Sequence, residues 1–210
     1  MLSGAAQLLS NRKLAGAVGP QKGKGMKVLV NVFHPDLEKS RINKAMIGAI
    51  ANQPSITVRD MYEEYGHLSF KDSIPVDKEK EVVVNYDRVV FQHPIYWYSG
   101  PPLLKKWVED VLTEDWAFGE KGNDLRGKEW MHAVSCGGSR ESYQPGGFNA
   151  YSLGEFLRSY QQVSVLCKMN FCPTFAIHHV FHLSDEQLAV ATQEYVDTLN
   201  RDRLIVGFSL

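Results

Sequence analysis

Chemistry first suggests itself where the chain reads His93-Pro94-Ile95-Tyr96-Trp97-Tyr98-Ser99-Gly100-Pro101-Pro102. Tyr96, Trp97 and Tyr98 offer large rigid faces in succession, suited to holding a flat ring, while their backbone N–H groups remain able to donate. A core turn rich in aromatics would use the same residue types, so the surrounding elements carry the decision. Two more loops hold residues of interest: His34-Pro35 with Ser40, Arg41, Ile42 and Asn43, and Ser135-Cys136-Gly137-Gly138 leading to Tyr143.

The elements that must position these loops alternate between strand and helix. Met26 to Phe33 is a near-continuous apolar run, as expected of a strand buried on both faces of a parallel sheet. Ile42, Ala45, Met46, Ala49 and Ile50 follow at helical spacing with Ser40 as cap. Ile56 to Met61 reads as a second strand, Asp77 to Tyr86 as a helix, and Arg88 to Gln92 as a third strand stopped by Pro94. Pro101-Pro102 suits a helix start, where a missing N–H costs least, and Leu104, Trp107, Val108 and Val111 form its stripe. Trp130 to Ser135 gives a fourth strand, Ser152 to Lys168 a helix and Phe171 to Val180 a fifth strand. In the last helix Ser184 and Gln187 form a capping box and Leu183 and Leu188 a hydrophobic staple. This alternation implies an α/β fold, a doubly wound five-stranded parallel sheet with helices on both faces. Five strands favour the flavodoxin-like order, in which strands one, three and four are neighbours, so the three loops converge on one crevice at the carboxyl edge.

Composition narrows the class. The 210 residues carry a net charge of −1 and are 44% hydrophobic, enough for one domain with a sizeable core and without the basic field that attracts nucleic acid. Cys136, Cys167 and Cys172 are odd in number and form no C-x-x-C pair, which argues against a disulfide framework or zinc site and fits a reducing, cytoplasmic setting. No apolar run approaches the roughly 20 residues of a membrane span. Residues 1–25 are basic and rich in Gly, Ala and Ser, and are expected to be a leader outside a domain at residues 26–210. The dinucleotide fingerprint, the P-loop and G-x-S-x-G are absent. His178, His179 and His182 lack the regular face of a metal site, and no metal is expected.

Taken together, these segments resemble the flavodoxin-like NAD(P)H:quinone oxidoreductase family, which includes ancillary subunits of glutathione-gated potassium efflux systems. The resemblance runs from about Met26 to the last helix. It rests on His34-Pro35 with Ser40-Arg41 and Asn43, the His93 to Trp107 segment, Trp116-Ala117-Phe118-Gly119, and Gly137-Gly138-Ser139 with Tyr143.

The resemblance implies a non-covalent flavin, FMN rather than FAD because the shorter family members are the similar ones, with NAD(P)H as co-substrate. His34, Ser40, Ile42 and Asn43 would lie at a helix N-terminus suited to the flavin phosphate, although capping explains Ser40 equally well. Pro94, Ile95, Tyr96 and Trp97 would run along the ring, and Ser135, Cys136, Gly137 and Gly138 would let backbone approach its pyrimidine end. Tyr143 matches the family's active-site tyrosine. The family's histidine partner is replaced here by Asn149, which donates a hydrogen bond but does not titrate. Trp116 and Phe118 match a segment that reaches a partner subunit's site, implying a homodimer, with core packing as the alternative. The expected activity is hydride transfer from NAD(P)H to flavin and then to a quinone-like small molecule. The rival is a regulatory subunit held at the inner membrane by a potassium antiporter. A one-electron flavodoxin carrier fits less well, because flavodoxins carry T-x-T-G-x-T where this chain has His34-Pro35.

Overall fold

The first strand, β1 (Val28–Val32), is buried at every residue because its two faces feed two different cores. Val28, Val30 and Val32 enter one; Leu29, with Phe33 just beyond the strand, enters the other, as the two-residue side-chain period requires. The computed structural model describes residues 25–204, so the leader expected at residues 1–25 lies, apart from Gly25, outside the described residues.

Around β1 run β2 (Ile56–Asp60), β3 (Arg88–Pro94), β4 (Glu129–Ser135) and the short β5 (Asn170–Phe171), all parallel, in the order β2-β1-β3-β4-β5. This is the flavodoxin-like order the sequence predicts. Two strand expectations need correction. Pro94 does not stop β3 but is its last residue, opposite Ser135. A strand end tolerates it because the next donor, the Ile95 N–H, reaches the Ser135 carbonyl at 2.9 Å. The predicted fifth strand is two pieces, β5 and β6 (Phe175–Ile177), each paired to β4 and separated by Cys172-Pro173-Thr174. Pro173 has no N–H to give the ladder, and the strand ends at Ile177 rather than Val180.

Helices α1 (Arg41–Ile50) and α7 (Asp185–Leu199) pack on one face of the sheet through Met46, Ile50, Leu188 and Tyr195. The other face is covered by α2 (Met61–Tyr65), α3 (Val76–Val83) and α4 (Pro102–Val111), with α5 (Leu153–Phe156) and α6 (Arg158–Leu166) beside them. The single helix expected over Ser152 to Lys168 is broken at Leu157, whose φ of −93° and ψ of 8° leave helical geometry. The bend lets Leu153, Leu157 and Tyr160 all reach one core. The capping box of α7 forms as predicted: Ser184 Oγ accepts from the Gln187 N–H at 3.2 Å, and Gln187 Oε1 accepts from the Ser184 N–H at 2.9 Å.

Candidate functional site

At the carboxyl edge of the sheet the three predicted loops are tied to one another by hydrogen bonds. Ser40 caps α1 by accepting from the Asn43 N–H at 3.2 Å, and the Asn43 amide donates to Ser40 Oγ at 3.0 Å and to Ser135 Oγ at 3.1 Å. Gln92 donates to the Asn43 carbonyl at 3.2 Å and accepts from the Tyr195 hydroxyl at 3.1 Å. Asn43 is therefore a buried knot joining the first loop to β3 and β4, and Ile42 points into the core. What α1 presents outward is its N-terminal backbone, which suits an anion. His34 Nδ1 accepts from the Asp36 N–H at 3.1 Å. The neutral ring then carries its proton on Nε2, which faces the Tyr96 hydroxyl at 3.4 Å. Burial lowers the His34 pKa and favours that neutral form.

The aromatic loop is a closed, strained turn. Tyr96 and Ser99 exchange backbone hydrogen bonds of 2.9 and 3.0 Å, while Trp97 and Tyr98 hold φ angles of 48° and 66°. Two successive left-handed residues are the habit of Asn-Gly turns, and bulky residues there cost about 1–3 kcal/mol each. Trp97 is 94% exposed, whereas Tyr98 turns back to stack on Phe156 with ring centres 4.9 Å apart. The platform of three faces is thus reduced to Tyr96 and Trp97.

In the loop after β4, burial pushes the Cys136 thiol up to about 12, which removes it as a nucleophile, and its backbone is already committed, the N–H donating to the Ile177 carbonyl at 2.9 Å and the carbonyl accepting from the Val180 N–H at 3.2 Å. A Cβ on Gly138 would sit 2.5 Å from Ser142 Oγ and 3.0 Å from the Tyr143 ring, so any other residue must displace those side chains. One on Gly137 would reach the Phe181 ring at 3.0 Å. Tyr143 is half-buried, and burial raises its hydroxyl pKa. A cleft of about 1160 Å³ opens between Tyr143, Arg140 and His178 and runs along β5 and β6 to Lys168.

Residues 26–199 match the family described as having a flavodoxin-like fold. The chain belongs to this family. It is 43% identical over 171 residues to the uncharacterized NAD(P)H oxidoreductase YdeQ of Bacillus subtilis (strain 168), covering 81% of this chain and 85% of that one. It is 34% identical over 178 residues to the glutathione-regulated potassium-efflux system ancillary protein KefF of Klebsiella aerogenes, covering 85% and 94%. Among solved structures, the general stress protein 14 of Treponema denticola in complex with FMN superposes with a TM-score of 0.75 at 30% identity, covering 82% of this chain and 97% of that chain.

Within this flavodoxin-like chain one expected placement changes. Asn149 does not pair with Tyr143; its amide donates to Ser142 Oγ at 3.4 Å and its backbone N–H to the Ser142 carbonyl at 2.9 Å. The Gly-rich loop folds back on itself and uses Asn149 as its own tie. Trp116 is 8% exposed and belongs to the chain's own core, and the half-buried Phe118 packs against that core. His178, which the sequence raised only to set a metal aside, has its ring centre 5.6 Å from that of Tyr143, and its buried Nδ1 has no partner among the described residues. Its place at the end of the fifth strand, on the same sheet edge as the three loops, was the available signal.

Proposed function

We propose that this chain, from Met26 onward, is a single flavin-binding unit that works as an FMN-dependent NAD(P)H oxidoreductase reducing a quinone or similar flat acceptor. The observation that carries the reading is the meeting, at one sheet edge, of a capped helix N-terminus, a strained aromatic turn and a glycine pair closely flanked by side chains. These are the three environments that a phosphate, a ring face and a ring edge require. The Gly138 cradle and the exposed Trp97 ring fit a planar group. The relative named NAD(P)H oxidoreductase and the neighbour in complex with FMN support the same reading.

The Ser40 hydroxyl and the first-turn N–H groups of Arg41 and Ile42 would hold the phosphate, Pro94 to Trp97 the ring face, and the Gly137-Gly138 end of the segment from Ser135 the ring edge, the Ser40 and Cys136 N–H groups being engaged with Leu37 and Ile177. When bound, FMN supplies hydride acceptance and donation, so NAD(P)H and the acceptor use one pocket in turn. The chain contributes position and charge. Tyr143, neutral at physiological pH, donates a hydrogen bond to a ligand oxygen, and Trp97 screens the ring from water. FMN is favoured over FAD because the resemblance lies with the shorter family members, and the resemblance of residues 116–119 favours a homodimer.

A second reading follows from the likeness to the potassium-efflux ancillary protein: a regulatory subunit docked on a membrane antiporter, in which quinone reduction is secondary. Among the described residues no helix is long and apolar enough to cross a membrane, so such a location would depend on the partner. The test is an anaerobic visible spectrum of the protein with FMN, before and after NADPH and then after a soluble quinone. Bleaching followed by recovery supports the oxidoreductase; FMN that binds but is bleached by neither NADPH nor NADH favours the regulatory subunit; failure to bind FMN removes both.

A further inference from the structure

Behind the aromatic loop lie two fully buried histidines that the proposed chemistry does not use. Trp130 Nε1 donates to His132 Nε2 at 2.9 Å; His132 Nδ1 faces His93 Nε2 at 2.9 Å; His93 Nδ1 faces the Pro94 carbonyl at 2.9 Å. The indole can only donate, so His132 Nε2 must accept. A neutral His132 then carries its proton on Nδ1 and gives it to His93 Nε2. His93 in turn carries its proton on Nδ1, facing a carbonyl that can only accept. One arrangement of protons satisfies every atom, and its polarity runs from Trp130 to Pro94.

The chain is also closed to any further proton. A proton on His132 Nε2 would oppose the indole N–H, and one on His93 Nε2 would oppose His132 Nδ1–H. Aromatic rings enclose the pair: Phe91, Trp130, Tyr160 and Phe171 all lie within 6.0 Å of His132, centre to centre. Burial lowers both imidazoles, His93 to about 4.

His93 stands beside both ends of the loop. It donates from Nδ1 to the Pro94 carbonyl at the start, and at the end a Cβ on Gly100 would lie 3.5 Å from His93 Cε1, 3.2 Å from the Tyr160 hydroxyl and 2.6 Å from Leu104. Between these ends stand the left-handed Trp97 and Tyr98, a conformation that persists only when the surroundings over-determine it.

We propose that Trp130, His132 and His93 form a clamp of fixed proton polarity that holds the Pro94–Gly100 turn in its strained, ring-accepting shape, making His93 and His132 positioning residues for the planar ligand. The ligand part of this inference rests on the flavin reading; the clamp itself does not. Two measurements separate them. The ring nitrogens of the wild-type protein, read by ¹⁵N NMR, are expected to show both histidines protonated on Nδ1, and Trp130→Phe, which leaves His132 Nε2 unopposed, is expected to let His132 take up a second proton there at higher pH than the wild type does. A proton on Nε2 of either wild-type ring overturns the proposal without any variant having to fold.

Hydrogen exchange is then followed at the Tyr96 and Ser99 amides, which bond each other across the turn. His132→Leu is expected to speed their exchange by about tenfold while Val90, inside β3, stays protected; unchanged rates at Tyr96 and Ser99 overturn the clamp. FMN titration of the same proteins should show about tenfold weaker binding in His132→Leu, with recovery in His132→Asn, whose amide still donates toward His93. Equal FMN affinity in wild type and His132→Leu would overturn the positioning role. A wild type that binds no FMN would instead bring down the flavin reading and leave the clamp to the exchange and tautomer results.

Discussion

Trp97 and Gly138 show two opposite uses of a single residue. Trp97 accepts a left-handed backbone, which costs an L-residue about 1–2 kcal/mol, yet 94% of it is exposed, so its ring repays nothing by packing. Trp97→Gly is therefore expected to stabilise the ligand-free protein by about 1 kcal/mol in urea denaturation while weakening FMN binding in a fluorescence titration. Loss of stability in that variant would mean that the ring packs on the protein after all. Gly138 is the reverse case: its φ is unremarkable, but Ser142, Tyr143 and Asn149 occupy the space of a side chain. Gly138→Ala is expected to cost about 1–3 kcal/mol and to displace Tyr143, read as a fall in both unfolding midpoint and FMN affinity. The Gly137-Gly138 pair was legible as a place of close approach. The sequence did not reveal that the close neighbours at Gly138 include the loop's own Asn149, because that depends on the loop folding back.

At the scale of elements, α4, which follows the aromatic turn, is joined to α2, α3 and β2 through one buried carboxylate. Glu79 on α3 is fully buried and bonded to Arg59 of β2 at 2.6 Å, the Tyr65 hydroxyl of α2 at 2.6 Å and Trp107 Nε1 of α4 at 2.8 Å. Burial alone would raise its pKa, but these donors outweigh burial and hold it below the usual carboxylate value. Glu79→Ala would leave Trp107 Nε1 without its partner, the Tyr65 hydroxyl with only a 3.5 Å contact from Arg59, and Arg59 with Glu64 as its one carboxylate. It is expected to lose about 3–5 kcal/mol in chemical denaturation, with Glu79→Gln losing less. The helices themselves were readable from apolar spacing, including the stripe of α4 and the capping box of α7. The breaks were not. Leu157 and Pro173 interrupt segments whose periodicity looks continuous, because burying Leu153, Leu157 and Tyr160 in one core bends the helix, and Pro173 gives the ladder no N–H.

For the whole molecule the buried histidines set an acid limit. A histidine lowered from 6.5 to about 4 on folding is neutral in the native state, while the unfolded chain takes up a proton first as pH falls. Its stabilisation is fully present above pH 6.5 and is lost as pH falls toward 4, on the order of 3 kcal/mol for His93 alone. His132 moves the same way. Urea midpoints measured from pH 7.5 to 5 should fall steeply in the wild type and less in a His93→Gln, His132→Gln double variant; parallel curves would show that other groups govern acid unfolding. The sequence by itself determined the sheet, its flavodoxin-like order and the edge where the three loops meet, because two-sided apolar strands and amphipathic helices are written in local spacing. Only the tertiary structure decided which side chains became neighbours: Tyr143 with His178 rather than Asn149, Asn43 with Ser135, and His93 with His132. Such pairings depend on parallel strands far apart in sequence coming into register, and no local pattern encodes the distance between them.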